Sequence, residues 1–238
     1  MKITTLDVAV LVHPVFERPT LAFSDAHTSS RGRHNNCQED ILRGFLSEYG
    51  PARWDLVLLG DWRDYIEEPR ARAHRRHNDW LERRIALHRT VELLGNHENI
   101  PGLAADAYVL DTGSVFAWHG DALDPACSGA GRLDVFGSGV WSVLERVGLG
   151  SALGGIKRRI VDRLRPTASI RDDGNAVYLA DAMNRGKVLY LCGHTHRPQL
   201  VEWGPGHIFV NCGSWVEPGK GYAVTVDGRN VRLLEVSL

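Results

Sequence analysis

Five short polar blocks, each standing at or just after an apolar, β-like run, constrain this chain more than any other feature. In order they are Asp25-Ala26-His27, Gly60-Asp61-Trp62-Arg63-Asp64, Gly95-Asn96-His97-Glu98, His119-Gly120-Asp121 and Gly193-His194-Thr195-His196. Residues 20–24, 54–59, 90–94, 114–118 and 187–192 are the runs that lead into them. Runs without alternation read as central strands covered on both faces. A parallel α/β sheet collects its functional loops at the carboxyl ends of such strands. Between the first runs the spacing turns helical. Ile41, Leu42, Phe45 and Leu46 mark a helix within 36–49, and Trp80, Leu81, Ile85 and His88 share a face within 69–89, with Pro69 suited to a first turn. The β-α-β-α-β order predicts parallel strands joined by right-handed crossovers.

After His119 the character changes. From 121 to 186 glycines at 129, 131, 137, 139, 148, 150, 154 and 155 punctuate short helix-like pieces such as 141–147 and 156–164. This stretch is expected to be a mainly helical insertion beside the polar blocks. From Lys187 the chain is β-rich, with runs at 188–192, 200–203, 207–211, 222–226 and 231–236 and turn signals at Gly204-Pro205-Gly206 and Asp227-Gly228. A length of 238 residues fits one domain with that insertion inside it.

Composition narrows the class. Formal net charge is -1, which gives no general attraction to nucleic acid or an acidic membrane. The four cysteines, Cys37, Cys127, Cys192 and Cys212, form no Cys-x-x-Cys pair, so neither a zinc knuckle nor a redox motif is indicated. No run approaches the roughly 20 apolar residues of a membrane helix, and no signal peptide is evident. A reduced, soluble, cytoplasmic protein is the expectation. Arginines at 70, 72, 75, 76, 83, 84 and 89, and the basic residues of 157–165, are best read as solvated faces, with peripheral membrane or anionic-substrate contact as the alternative.

The blocks bring together carboxylates, imidazoles and one carboxamide, the donor set for borderline-hard divalent metals. Asp25 and His27 are two residues apart and can chelate one ion. Asp61 can bridge two ions, Asn96 offers a neutral amide oxygen, and His119, His194 and His196 converge only if the fold brings distant loops to one rim. Asp64 and Asp121 are candidates for orienting ligand imidazoles, with turn or cap roles equally open. Each block alone is an ordinary polar loop; their joint order argues for a metal site.

That order resembles the calcineurin-like metallophosphoesterases, whose motifs run Asp-x-His, Gly-Asp-x-x-Asp, Gly-Asn-His-Glu/Asp, His and Gly-His-x-His. The resemblance implies a two-sheet α/β sandwich with the metals at one rim. It also implies one ion on Asp25, His27, Asp61 and His196, and a second on Asp61, Asn96, His119 and His194. Mn (manganese), Fe, Zn or Co would suit these ligands, and the metal's identity is open among them. Two divalent ions on two carboxylates leave roughly +2, enough to hold a phosphoryl anion and to activate an attacking hydroxide. His97 resembles the family's non-ligand histidine that serves the leaving oxygen, and Glu98 would orient it and keep it protonated. The implied activity is hydrolysis of a small phosphodiester or phosphomonoester.

Within the family, the spacing after His119 and the ending Gly-His-Thr-His-Arg-Pro look like the UDP-diacylglucosamine pyrophosphatases. Those enzymes carry Arg-Asp after the ligand asparagine, where this chain has His97-Glu98. Histidine can give a proton to a leaving alkoxide and arginine cannot, so a lipid pyrophosphatase is the second choice. A non-catalytic scaffold on the same fold would be expected to have lost ligands that are all present here. A nuclease would be marked by a basic groove with interleaved aromatics, and the near-neutral composition gives that reading little support.

Overall fold

The computed structural model describes residues 1–28, 37–63, 79–98, 108–124 and 175–238. Within them lie β1 (Lys2–Val10), β2 (Thr20–Phe23), α1 (Glu39–Glu48), β3 (Asp55–Leu59), α2 (Asp79–Ala86), β4 (Thr90–Leu93), β5 (Val109–Asp111), β6 (Val115–Trp118) and a 3-10 turn at Asp121–Leu123. Then follow α3 (Ala176–Arg185), β7 (Leu189–Cys192), β8 (Gln199–Gly204), β9 (His207–Asn211), β10 (Lys220–Asp227) and β11 (Asn230–Ser237). The predicted runs into all five polar blocks are strands, each within a residue or two of its expected bounds.

Two mixed sheets form. One has the order β1-β11-β10-β2-β3-β4 and the other β5-β6-β7-β9-β8. β2, β3 and β4 pair in parallel, as do β6, β7 and β9. The expected parallel pairing therefore runs to the β4 edge of the larger sheet and holds in the centre of the smaller one, and the remaining pairs are antiparallel.

The sheets face each other across an apolar layer. Ala22, Val57, Leu59, Leu93 and Val224 from one sheet meet Val115, Ala117, Leu189, Leu191, Ile208 and Val210 from the other. Strands buried on both faces need a second apolar layer, and helices supply it. α1 lays Ile41, Leu42, Phe45 and Leu46 on the outer face of the larger sheet, with Leu81 and Ile85 of α2 beside them. Tyr178 and Ala182 of α3 cover the other sheet against Phe116, Tyr190 and Phe209. The result is the two-sheet α/β sandwich that the resemblance implied, with helices on the outer faces.

Two strands carry no clear sequence signal. β1 pairs with β11, more than two hundred residues away, through a register shift between Thr5 and Asp7 that breaks its alternation. β5 is three residues long. The expected insertion 121–186 is described only at its ends, the 3-10 turn and α3, so its interior lies outside the described residues, as do Asp64, the arginines of 70–76, and Arg31, Arg33 and His34. From α2, Arg84 donates to the Leu46 carbonyl of α1, and Glu82 pairs with Arg63. No helix among the described residues is long and apolar enough to cross a membrane.

Candidate metal centre

Parallel strands β2, β3 and β4 end at the same rim, and so do β6 and β7 across the sandwich. The loops that follow are tied together by backbone bonds. Asp25 N–H donates to the Gly60 carbonyl at 3.1 Å, His27 N–H to that of Asp61 at 2.9 Å, and Gly193 N–H to that of His119 at 3.0 Å. Two glycines permit this closeness. A Cβ at Gly95 would overlap the Asp61 carboxylate, and one at Gly193 would overlap Ser24 and Asp25.

The rim is also conformationally unusual. Among the described residues, the non-glycine positions with positive φ are Asp25 (55°), His27 (45°), Asp61 (52°), His194 (67°) and His196 (59°). Side chains reach this left-handed region at a cost of about 1–3 kcal/mol each. All five are residues the motif order marks as ligands. Nothing in hydrophobic packing asks for such backbone; a convergent set of side chains does.

They do converge. Asp25, His27 and His196 have ligand-capable atoms within 4.8 Å of one another, and so do Asp25, Asp61 and His119, and His27, Asp61 and His97. His196 Nε2 lies 3.0 Å and His27 Nε2 3.6 Å from Asp25 Oδ1, a buried oxygen that accepts no hydrogen bond. The two imidazole nitrogens face each other at 3.3 Å. On the other side, His119 Nε2 is 3.2 Å from Asp61 Oδ2, from Asn96 Oδ1 and from His194 Nδ1. One ring nitrogen cannot satisfy three such neighbours by donating one hydrogen. A cation among them can, and the donor chemistry fits a divalent metal.

Tautomers point the same way. His119 Nδ1 is 2.9 Å from the Leu59 carbonyl, which fixes the hydrogen there and leaves Nε2 facing Asp61 and Asn96. His194 Nε2 is 3.1 Å from Asp124 Oδ2, so its Nδ1 faces inward. Burial pushes the Asp25 carboxyl upward, but the imidazoles of His196 and His119 outweigh that and hold it well below the usual carboxylate range. Asp61 is likewise held low against its burial by His119 and His97. Conversely, burial alone would lower His119, yet Asp61 and Asp25 raise it well above the usual imidazole range. Two buried carboxylates thus demand positive charge at this point.

Of the expected site residues, Asp64 lies outside the described residues. Asp25, His27, Asp61, Asn96, His119, His194 and His196 come together through the contacts given above. His97 sits at the open edge with its side chain 26% exposed, its N–H donating to Asp61 Oδ1 and its Nε2 4.0 Å from Asp61 Oδ2. Glu98 has a task the motif did not reveal. Fully buried, its carboxylate accepts from the amides of Asp61 (3.0 Å), Arg63 (2.7 Å) and Gly95 (3.3 Å), stitching the second block to the third. Burial, with Asp61 nearby, pushes its carboxyl up to about 8. Asp121 adds only field at His119; the carboxylate touching a ligand imidazole is Asp124, three residues on. That spacing, one 3-10 turn, was the available signal. Ser24 was also missed: its hydroxyl donates to Asp25 Oδ2 at 2.5 Å.

Known proteins similar to this chain are as follows. The family profile described as "Calcineurin-like phosphoesterase" matches residues 18–198. No curated protein matches the chain. Among solved structures, wild-type Vps29 complexed with Zn+2 from Entamoeba histolytica is 14% identical, covers 91% of both chains and has a TM-score of 0.46. A metallophosphoesterase from Sphaerobacter thermophilus is 15% identical, with 90% of this chain and 87% of that chain covered and a TM-score of 0.44. A conserved protein predicted to be a phosphoesterase, from Streptococcus pneumoniae, is 16% identical, with 88% and 83% covered and a TM-score of 0.37.

Proposed function

The chain belongs to the calcineurin-like phosphoesterase family, and we propose that it hydrolyses a small phosphodiester or phosphomonoester at a site holding two divalent metals. The observation that carries this reading is the left-handed backbone at Asp25, His27, Asp61, His194 and His196. A fold keeps such strain where several side chains must point at one place.

In this reading Asp25, His27, Asp61 and His196 hold one ion and Asp61, Asn96, His119 and His194 hold the other, with Asp61 shared. Bound metals supply Lewis acidity and a water that is nucleophilic near neutral pH. The chain supplies the rest. Buried Asp25 and Asp61 cancel part of the metal charge and leave a net positive site that draws a phosphoryl anion inward. Asp124 fixes the His194 ring, and Leu59 fixes that of His119. His97, at the open edge, is placed to hold a proton for the departing oxygen. Glu98 acts on the backbone of the loops around it rather than on the leaving group.

Diesters and monoesters with alkoxide leaving groups are favoured over pyrophosphates because His97 can donate a proton where an arginine could only neutralise charge. The test is a titration of metal-depleted protein with Mn or Co, followed by elemental analysis and a panel of diesters, monoesters and nucleotide-diphosphate lipids. Two ions per chain with ester hydrolysis is the expected outcome. A single ion would overturn the binuclear assignment, and preference for the lipid pyrophosphate would overturn the substrate assignment.

A further inference from the structure

Beneath the Gly193-His194-Thr195-His196 loop lies a buried polar cluster that joins Thr195 to two asparagines outside the five blocks. Asn175, Thr195 and Asn211 are each nine-tenths or more buried. Thr195 Oγ1 donates to Asn175 Oδ1 at 2.8 Å. Asn211 Nδ2 is within donating distance of the Gly193 carbonyl (2.8 Å), Thr195 Oγ1 (3.0 Å) and Asn175 Oδ1 (3.1 Å). Asn175 Nδ2 donates to the Arg197 carbonyl at 3.1 Å, and Asn211 Oδ1 accepts from Gly213 N–H at 3.0 Å. The cluster therefore grips the loop at its start, middle and end.

Two features say that the grip has a purpose beyond filling space. Thr195 stands between two residues in left-handed conformation, His194 (67°) and His196 (59°), so the loop cannot hold its own shape by ordinary backbone preference. Asn175 is the N-cap of α3, the position where an asparagine side chain ordinarily accepts from the first helical amides. Here it makes no such bond. Its amide turns away from the helix and bonds the loop instead.

We propose that Asn175, Thr195 and Asn211 act as a positioning clamp that holds His194 and His196 in their left-handed geometry and so sets the metal affinity of the site. The inference rests on the reading that these two histidines are metal ligands. None of the three is among the candidate metal ligands. Their effect passes through the backbone of the loop. Thr195 is the joint, since its hydroxyl both donates to Asn175 and accepts from Asn211, and a methyl in its place breaks both bonds at unchanged volume.

The experiment compares Thr195→Val with Thr195→Ser in the full chain. Binding of Co(II) is followed by the visible absorption of the bound ion, and thermal unfolding of the metal-free protein is measured in parallel. Thr195→Val should weaken Co(II) binding about 10–100-fold and alter the absorption bands, while Thr195→Ser, which keeps the hydroxyl, stays within about threefold of the parent. Asn175→Ala repeats the expected loss should Thr195→Val fold poorly, because it removes both the oxygen that Thr195 and Asn211 need and the donor to the Arg197 carbonyl. Parent-like affinity and spectrum in Thr195→Val, or an equal loss in Thr195→Ser, overturns the clamp alone. Failure of the parent chain to bind Co(II) overturns the metal reading, and the clamp with it.

Discussion

The sandwich interior and the rim obey opposite rules. Between the sheets, Leu59, Val115, Leu189 and Ile208 are fully buried in ordinary strand conformation, and their side chains belong to one apolar cluster. A few residues further along the same strands, Asp25, Asp61 and His119 are buried just as deeply but carry charge, and two of them have strained backbone. The interior lowers the free energy of the fold; the rim raises it. A chain keeps such a rim only where something other than folding uses it. Substitutions in the two regions should therefore separate stability from activity.

The largest separation is expected at Asp61. Asp61→Asn should lower kcat/KM by about 10³-fold or more, on the scale of losing a preorganised charged group, and should reduce the metal content. Its thermal midpoint without metal should stay close to the parent's. A large fall in the midpoint would make Asp61 part of the structural core. The mirror experiment is Phe45→Ala. Phe45 is fully buried under the larger sheet, and its loss should cost about 3–5 kcal/mol in denaturant unfolding. Metal stoichiometry of the folded fraction should not change; if it does, rim and interior are one cooperative unit.

His97 sharpens the comparison inside the rim. His97→Ala should retain the metals and lose about 10²-fold on esters with poor leaving groups, but much less on a nitrophenyl ester that needs little protonation. Equal losses on both would remove its proton-donor role. A smaller effect is expected from His27→Gly. Releasing the left-handed φ of 45° should stabilise the metal-free protein by about 1 kcal/mol while weakening metal binding. A destabilised variant would show that His27 supports the rim by packing.

The smallest effect concerns a histidine away from the rim. His88 is buried, its Nδ1 lies 3.0 Å from the Trp54 carbonyl and its Nε2 has no hydrogen-bond partner among the described residues. Burial lowers its pKa, the Trp54 bond opposing only in part. The unfolded chain then takes up the proton more readily. Stability from this group is present above the ordinary imidazole range, near pH 6.5, and is lost as pH falls below it. His88→Gln should flatten the stability–pH slope between pH 7.5 and 5.5 by at most about 1.4 kcal/mol per pH unit. An unchanged slope would place the acid sensitivity elsewhere.

What could be read along the chain was whatever depends on near neighbours. The apolar runs that became β2, β3, β4, β6 and β7, the face of α1 through Ile41 and Phe45, and the donor types in the five blocks are all local patterns, and the strand period and helix period express them directly. Even the shared rim follows from parallel strands ending together. β1 escaped because its signal is its pairing with β11 at the far end of the chain, made through a bulge. The roles of single side chains escaped for the same reason. Nothing in Gly-Asn-His-Glu says that Glu98 will bond three amides from two loops, or that Asp124 rather than Asp121 will reach His194. Nor does an asparagine before a helix announce that it will turn from its cap to hold Thr195. Local sequence determines which groups are present and which periodicity carries them. Which acceptor a given donor finds is decided only when distant segments are packed within about 3 Å, because a hydrogen bond has no reach beyond that distance.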